Sequence, residues 1–202
     1  MATYYWAGDT SGNYTDGTKW QGGQVPPAGS DLVFNLDTTA DRTMTLPTGP
    51  NNINSIYADD LSYEGTAGAE YYKRWTMAGG SINTPIELTV PYLGDSPGLL
   101  SGRSLLFIAA DIVGTGDVSK YGAGVFQIDV TSGQKSFTGN LNLYEGWYVS
   151  GDSNSLKGQI NIYDTAGFSA QASSGVTGFN NTINVYGTGL NFCLYNTSTE
   201  PG

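Results

Sequence analysis

The composition leaves open one hydrolytic chemistry, which is glycoside cleavage by a pair of carboxylates. The 202 residues include 18 acidic residues and no histidine, which excludes Ser-His-Asp and Cys-His nucleophile systems and the commonest zinc sites. Glycoside cleavage needs only two carboxyl groups about 5 to 9.5 Å apart. The candidates are Asp59, Asp60, Glu64, Glu145, Asp152 and Asp164. Because so many acids on a glycine-rich surface place some pairs in that range by accident, we expect no catalytic residue and no enzyme activity.

Other site chemistries also lack a convincing signature. Gly116-Asp117 and Gly151-Asp152-Ser153-Asn154 put oxygen atoms in turns, but the repeated Gly-Gly-x-Gly-x-Asp phrase of calcium-binding β-helices is absent. The single Cys193 has no histidine to activate it, and we expect it to pack as a small buried hydrophobe. No Gly-x-x-x-x-Gly-Lys-Ser/Thr phrase is present for phosphate binding. We therefore expect neither a metal nor a cofactor.

The charge and hydropathy pattern excludes two classes of partner. A net charge of −10 with only 8 lysines and arginines argues against nucleic acid, because phosphate binding depends on clustered cations. The opening Met1-Ala2-Thr3-Tyr4-Tyr5-Trp6 lacks the basic and apolar stretches of a secretory leader. No apolar run approaches the roughly 20 residues of a transmembrane helix. We expect a soluble protein with no membrane insertion.

Short strands joined by tight turns must position whatever site exists. Glycine supplies 29 of the 202 residues, about twice its usual share, and charged residues only 13%. No stretch longer than a turn or two has apolar residues every three to four positions, as an amphipathic helix requires. The composition therefore predicts an all-β fold.

One strand phrase, apolar-Asn-apolar-Tyr, recurs three times in the last third of the chain. The copies are Leu141-Asn142-Leu143-Tyr144, Ile160-Asn161-Ile162-Tyr163 and Ile183-Asn184-Val185-Tyr186. They begin 19 and 23 residues apart, a repeat length typical of solenoids and β-helices. The favoured fold is therefore a single-stranded parallel β-helix.

Stacking of the three phrases would bring equivalent side chains together. In an extended strand Leu141 and Leu143 share one face, while Asn142 and Tyr144 share the other. In parallel register Asn142, Asn161 and Asn184 would lie about 4.8 Å apart, close enough for their amides to form a hydrogen-bonded ladder. The alternative is a β-sandwich or jelly roll whose amphipathic strands resemble one another by chance.

An aromatic phrase near the start predicts a cap for such a solenoid. Trp6, Tyr14 and Trp20 would cover the first coil, and Leu32 and Phe34 would begin the first inward-facing strand. A solenoid end exposes strand edges and core, so it needs a cap. The alternative is that these aromatics belong to an ordinary sandwich core.

Residues 6–34 resemble the opening module of two overlapping groups of proteins. These are the β-helical passenger domains of bacterial autotransporters and adhesins, and phage virion structural proteins that begin with a similar Trp-rich phrase. The matching phrases are Trp6-Ala7-Gly8, Gly12-Asn13-Tyr14, Trp20, Gly22-Gly23, Val25-Pro26-Pro27 and Asp31-Leu32-Val33-Phe34. The resemblance implies a β-helix and a structural or adhesive role.

A second stretch is similar to the passenger-associated repeat of autotransporters. Gly114-x-Gly116 is followed by Lys120-x-Gly122-x-Gly124, a strand, and Phe137-Thr138-Gly139. Both stretches specify architecture, and together they cover under half of the chain. The large carboxy-terminal membrane barrel of a complete autotransporter does not fit in 202 residues, and a leader is lacking. These two departures favour a phage particle over a secreted passenger.

The middle of the chain predicts contact residues. Residues 57–103 hold an acidic and aromatic patch, from which we single out Tyr71, Tyr72 and Trp75 as candidate contacts on a projecting loop. The alternative is that these aromatics complete the core of the first coils. The chain then divides into an amino-terminal cap and first strand (1–35), irregular early coils with projecting loops (36–103) and regular coils (104–202).

These features lead us to expect a non-enzymatic structural protein of a phage particle. It would be a capsid decoration or fibre component on the virion surface that docks on capsid or other virion proteins. We expect a homo-oligomer, most simply a trimer, because three solenoids can bury a flank that one would expose. The alternatives are a secreted or cell-surface adhesin passenger fragment, which could bind a surface glycan, and a tailspike-like polysaccharide depolymerase domain.

Overall fold

The described part of the chain is built almost wholly from short strands. A computed structural model describes residues 1–36, 38–60, 74–91, 105–128, 136–150, 156–172, 181–187 and 191–196. One three-residue 3₁₀ turn, Gly17–Lys19, is the only helical segment in these ranges. The strands are β1 Thr3–Tyr5, β2 Gly12–Asn13, β3 Ser30–Leu36, β4 Arg42–Thr45, β5 Pro50–Asn51, β6 Ile53–Asp60, β7 Arg74–Ala78, β8 Ser81–Asn83, β9 Ile86–Thr89, β10 Leu105–Ile108, β11 Asp111–Val113, β12 Val118–Tyr121, β13 Val125–Ile128, β14 Leu141–Leu143, β15 Trp147–Ser150, β16 Ile160–Ile162, β17 Gly167–Ala172, β18 Ile183–Val185 and β19 Asn191–Asn196.

The strands form two large sheets and one small sheet, all with parallel pairing. The first sheet has the order β1-β3-β6-β9-β12-β14-β16-β18 and the second has the order β2-β4-β7-β10-β13-β15-β17-β19. A third sheet of three strands has the order β5-β8-β11. The chain visits the sheets in turn, and within each sheet the strands lie in chain order. Strand-to-strand connections of this kind must leave one sheet and return to it, since parallel neighbours cannot be joined by a hairpin.

Alternation along the strands of the first sheet explains its buried face. Parallel register aligns Leu32, Ile56 and Leu88 on successive strands, and all three are almost fully buried. The same file continues through Lys120 and Leu143 of the following strands. Every second residue of a strand faces the same side, so one inward position per strand produces a continuous internal column, which is apolar except at Lys120.

Aromatic side chains form the matching column behind the second sheet. Phe126, Tyr148 and Phe168 occupy equivalent positions on β13, β15 and β17. Their neighbouring ring centroids are 5.5 and 5.6 Å apart, and all three side chains are fully buried. Tilted rings at this spacing are a favourable aromatic geometry. The core therefore lies between the two large sheets.

Glycines stand where neighbouring turns approach each other most closely. A Cβ added to Gly139 would overlap the carbonyl oxygen of Gly116, and one added to Gly158 would overlap that of Gly139. Backbone packs directly on backbone at this corner, which leaves no room for a side chain. This close packing gives a physical reason for the Gly114-x-Gly116 and Phe137-Thr138-Gly139 phrases.

The fold confirms the all-β class that the sequence predicts. Every strand pair among the described residues is parallel, so an antiparallel β-sandwich or jelly roll does not describe these sheets. The three apolar-Asn-apolar-Tyr phrases lie on β14, β16 and β18, which are direct neighbours in one sheet. The predicted middle segment, residues 36–103, contributes strands β4 to β9 to the same three sheets. No helix in the described ranges is long and apolar enough to cross a membrane.

Candidate functional site

A cluster of buried aromatic rings lies beside the first strands of the chain. Trp6 and Trp20 are 0% and 1% exposed, with ring centroids 5.0 Å apart and planes at 83°. Phe34 lies 5.6 Å from Trp6, and Tyr14 lies 5.6 Å from Trp20. The four residues that the sequence proposes as a cap are therefore in one ring cluster over the first strands.

Polar atoms of the cap are tied to the backbone around it. The Trp20 indole donates to the carbonyl of Tyr14 at 2.8 Å, and the Tyr14 hydroxyl donates to the carbonyl of Pro26 at 2.8 Å. Burial raises the pKa of Tyr14, with a further contribution from Tyr4. The amide of Gln21 donates to the Tyr5 carbonyl at 2.9 Å. The cap segment thus occupies part of the outer edge of β1, the strand that ends the first sheet.

Trp75, one of the three candidate contact residues, lies inside the core. It is 2% exposed, its ring centroid is 4.9 Å from that of Phe34, and its indole donates to the Asp59 carbonyl at 3.3 Å. Its alternation position on β7 points inward, so the side chain completes the core of the first strands. This burial corrects the interpretation of Trp75 as a surface contact. Tyr71 and Tyr72 lie outside the described residues.

The three asparagines of the repeated phrase form a hydrogen-bonded ladder. Asn184 Nδ2 donates to Asn161 Oδ1 at 2.9 Å, and Asn161 Nδ2 donates to Asn142 Oδ1 at 2.8 Å. Asn142 Nδ2 in turn donates to Asp117 Oδ2 at 3.1 Å. The ladder expected from the sequence is present, and it ends on Asp117, which the sequence analysis considered only as an oxygen ligand in a turn.

A stack of tyrosines runs beside the asparagine ladder. The rings of Tyr121, Tyr144, Tyr163 and Tyr186 have successive centroid distances of 4.8, 4.7 and 4.9 Å. Their planes differ by 3, 10 and 15°. Burial raises the pKa of Tyr144 and Tyr163, and the neighbouring tyrosines add to the shift. The sequence gives three of these rings in the repeated phrase, while Tyr121 extends the stack by one strand.

Lys120 carries a charged group into the apolar column of the first sheet. Its side chain is 0% exposed and its ammonium donates to the carbonyls of Tyr121 at 2.9 Å, Glu145 at 3.1 Å and Gly122. Lys120 and Gly122 belong to the Lys-x-Gly-x-Gly phrase, whose lysine therefore anchors the turn that follows β12. In the structure it matches Leu88 and Leu143 in register, and this tertiary alignment, which the sequence alone does not show, places it inside.

Two carboxylates near the amino terminus are bonded to side chains of later strands. Asp9 Oδ1 lies 2.5 Å from Arg42 Nε, and this guanidinium, with Thr39, holds the pKa of Asp9 well below its usual range. Asp31 accepts from Asn54 at 2.5 Å and from Ser55 at 2.7 Å, and these two hydrogen bonds lower its pKa. Both groups are held as acceptors for structural contacts.

The described carboxylates proposed for glycoside cleavage lie on strand β6 and in the turns after β14 and β16. Asp59 is 5% exposed on β6, and its Oδ2 lies 3.4 Å from the Tyr57 hydroxyl. Burial raises the pKa of Tyr57, and the Asp59 carboxylate adds to the shift. Glu145 and Asp164 are exposed in the turns after β14 and β16, where Glu145 accepts from the Gly122 amide at 3.0 Å. Glu64 and Asp152, and the side chain of Asp60, lie outside the described residues.

The clusters described above are held together by ring packing and hydrogen bonds. Among the described residues, no group of three or more acidic, cysteine or histidine side chains is arranged to hold a metal ion. What the strands do bring together is a polar ladder, an aromatic stack and an aromatic cap. Comparison of the chain with protein-family models, with curated proteins and with solved structures finds no match.

Proposed function

We propose that the chain folds as a single-stranded parallel β-helix capped at its amino-terminal end. Support comes from the strand order, which follows the chain in all three sheets. Each residue of the internal column pairs with one a coil further on, as Leu143 pairs with Ile162 after 19 residues. Such coils bury a common core only by stacking on their neighbours.

We further propose that this β-helix is a non-enzymatic structural component of a phage particle, a capsid decoration or a fibre. The observation that carries the structural role is the pair of in-register ladders, formed by Asn142, Asn161 and Asn184 and by the stacked tyrosines. Ladders of this kind stiffen a stack of coils, because each coil adds backbone and side-chain hydrogen bonds to the coil below.

The particle assignment rests on the resemblance of residues 6–34 to phage virion structural proteins. A capped, rigid unit without an internal disulfide suits a component exposed on a particle, since its stability comes from packing and hydrogen bonds. The net charge of −10 favours mutual repulsion of particles. In this proposal the protein docks on capsid or other virion proteins, as a homotrimer in its simplest form.

Analysis of purified particles tests the proposal. The phage that encodes the chain would be banded on a density gradient, and the chain would be quantified by mass spectrometry against the major capsid protein. We expect a fixed stoichiometry that survives repeated banding, and gold-labelled antibodies would then distinguish head from tail. Absence from washed particles would contradict the particle assignment.

Two further assays separate the alternative functions. Recovery of the chain in the envelope fraction of bacteria that carry no phage would indicate an adhesin. Clearing of capsular polysaccharide by the purified protein would indicate a depolymerase, and replacement of a paired carboxylate by its amide would abolish the clearing.

A further inference from the structure

The tyrosine stack places four phenol rings in a row at the surface. Its two end members are partly open to solvent, with Tyr121 37% and Tyr186 63% exposed. The rings are nearly parallel, so each presents its face to its neighbour. Sugar rings stack on the faces of aromatic side chains, and within the row the inner faces are occupied by neighbouring rings. The inner rings are therefore poorly suited to glycan binding, and a chemistry at the ring edges fits the stack better.

We propose that Tyr163 and Tyr186 form an oxidative cross-linking site, at which a one-electron oxidant of the haem-peroxidase class joins the two phenols into dityrosine. The two ring centroids are 4.9 Å apart and the planes differ by 15°. Pairing of β16 with β18 fixes the backbones that carry the rings. Two reactive groups held at contact distance react as if at very high concentration.

The chemistry balances with hydrogen peroxide as the terminal oxidant. Each phenol gives one electron and its hydroxyl proton to the peroxidase, which leaves two phenoxyl radicals. A carbon–carbon bond forms between the ring carbons ortho to the two oxygens. The hydrogen on each bonded carbon then moves to the phenol oxygen and restores aromaticity. The pair has lost two electrons and two protons, and one hydrogen peroxide has become two water molecules.

Dityrosine formation is favoured at the end of the stack rather than in its middle. Tyr144 and Tyr163 are each held between two rings, whereas the described contacts of Tyr186 place a ring on one side only. Coupling requires the rings to leave their face-to-face arrangement so that the ortho carbons can meet. The exposed Tyr186 side chain can rotate to make that bond, and Tyr163 is its immediate neighbour.

The bond would join two strands 23 residues apart in the chain. It would close a loop between neighbouring strands of the first sheet, which restricts the unfolded chain in the way that a disulfide does. A surface protein with a single cysteine could in this way gain a covalent link between strands. The cross-linked protein is expected to have a higher Tm than the untreated protein.

Treatment of the folded protein with horseradish peroxidase and hydrogen peroxide tests the proposal. Digestion with trypsin and a protease that cuts before aspartate separates residues 158–163 from residues 164–202. We expect mass spectrometry to find these two fragments joined, with dityrosine fluorescence in the monomer band. Tyr163→Phe and Tyr186→Phe should each reduce this product to background, and the second variant also excludes Tyr195 as the partner.

Matched variants and conditions serve as controls for this experiment. Phenylalanine retains the ring, so the variants should keep the circular dichroism spectrum of the parent. Tyr5→Phe removes another exposed phenol and should leave the yield unchanged. Unfolding in urea should abolish the preference for this pair. An unchanged yield in Tyr186→Phe, or a dominant link between residues 158–163 and residues 136–151, which contain Tyr144, would overturn the proposal.

Discussion

Lys120 shows how one buried charge can hold a turn. Its position in the first sheet aligns with leucines, yet its ammonium reaches past the strand to the carbonyls of Tyr121, Gly122 and Glu145. Burying an ammonium is costly unless hydrogen bonds replace its water. These carbonyls replace that water, and the lysine links the turn after β12 to the turn after β14.

Replacing Lys120 with methionine should therefore destabilise the fold. Lys120→Met keeps the length and apolar stem of the side chain but leaves carbonyls without their charged donor. We expect a loss of about 1–3 kcal/mol in the free energy of unfolding, as for buried hydrogen bonds to charged groups. Urea denaturation measures it. Lys157→Met makes the same change at an exposed position, and an equal loss there would show that the buried contacts are irrelevant.

The Asp9–Arg42 pair makes a pH-dependent contribution to stability. The folded state holds the pKa of Asp9 below its usual range through the Arg42 guanidinium, while in the unfolded chain it is about 3.9. A lowered pKa means that the folded state binds this proton less readily than the unfolded state. The contribution is therefore complete above about pH 5 and is lost as pH falls below the unfolded value.

Asp9→Asn should lower stability at neutral pH by about 1 kcal/mol, since the pair is partly exposed. The difference between parent and variant should shrink as the pH falls from 5 toward 3. Thermal unfolding of both proteins across this range measures it. Asp164→Asn removes a charge of the same sign from an exposed turn and controls for net charge. A difference for Asp9→Asn that stays constant with pH would rule out the ion pair as its cause.

At the scale of elements, the asparagine ladder has a direction. Each amide donates to the oxygen on the preceding strand, from Asn184 to Asn161 to Asn142, and the last donates to Asp117. An ionised carboxylate can only accept hydrogen bonds, so it can stand at the accepting end of such a row and nowhere else. Aligned amides polarise one another and strengthen the row.

Removing an inner asparagine of the ladder should therefore lower the free energy of unfolding more than removing the asparagine at its end. Asn161→Ala breaks two hydrogen bonds at a site that is 8% exposed, and we expect a loss of about 1–3 kcal/mol. Asn184→Ala breaks one ladder bond and an exposed hydrogen bond to Gln159 at a half-buried site. Its loss should be smaller, because water can replace the exposed bond. Chemical denaturation of the two variants compares them directly. Equal losses would show that the ladder does not act as a connected row.

The glycine corner predicts a large effect from a single methyl group. Gly139→Ala would place a Cβ into the carbonyl of Gly116, which is backbone and cannot move aside alone. Forced overlap in a packed region costs about 1–3 kcal/mol or more. Thr138→Ala changes the adjacent exposed residue and should leave Tm nearly unchanged. A Gly139→Ala protein with the parent Tm would mean that the two turns can separate freely.

The sequence predicts those elements that repeat and misses contacts that do not. The phrase around Asn142 recurs on neighbouring strands, so its period revealed both the stacking and the amide ladder. Asp117 stands outside the phrase, and nothing local marks it as the acceptor at the end. Trp75 and Lys120 are inward-facing, but the period is lost around Trp75, and a lysine is normally expected on the surface. Their burial follows from tertiary register, which one sequence does not show.

At the scale of the whole molecule, the described ends of the sheets differ. Trp6, Trp20 and the segment through Gln21 cover the core and part of the β1 edge at the amino-terminal end. At the other end of the first sheet, Val185 and Tyr186 are 44% and 63% exposed. Uncovered strand edges promote association, so we expect any assembly of the proposed homo-oligomer to avoid the amino-terminal end.

Loss of the cap should reduce stability first in the strands nearest the amino-terminal end. Trp20→Ala removes a ring that is 1% exposed and contacts Trp6, Tyr14 and Phe34, at a cost of about 3–5 kcal/mol. In a stack of coils each coil depends mainly on its neighbours, so the loss should be local. Hydrogen exchange should show lower protection in β1, β3 and β4, with β14 and β16 unchanged. Tyr5→Ala changes an exposed ring at the same end and should leave every strand protected. Uniform loss of protection after Trp20→Ala would indicate a single cooperative core and would argue against the proposed β-helix.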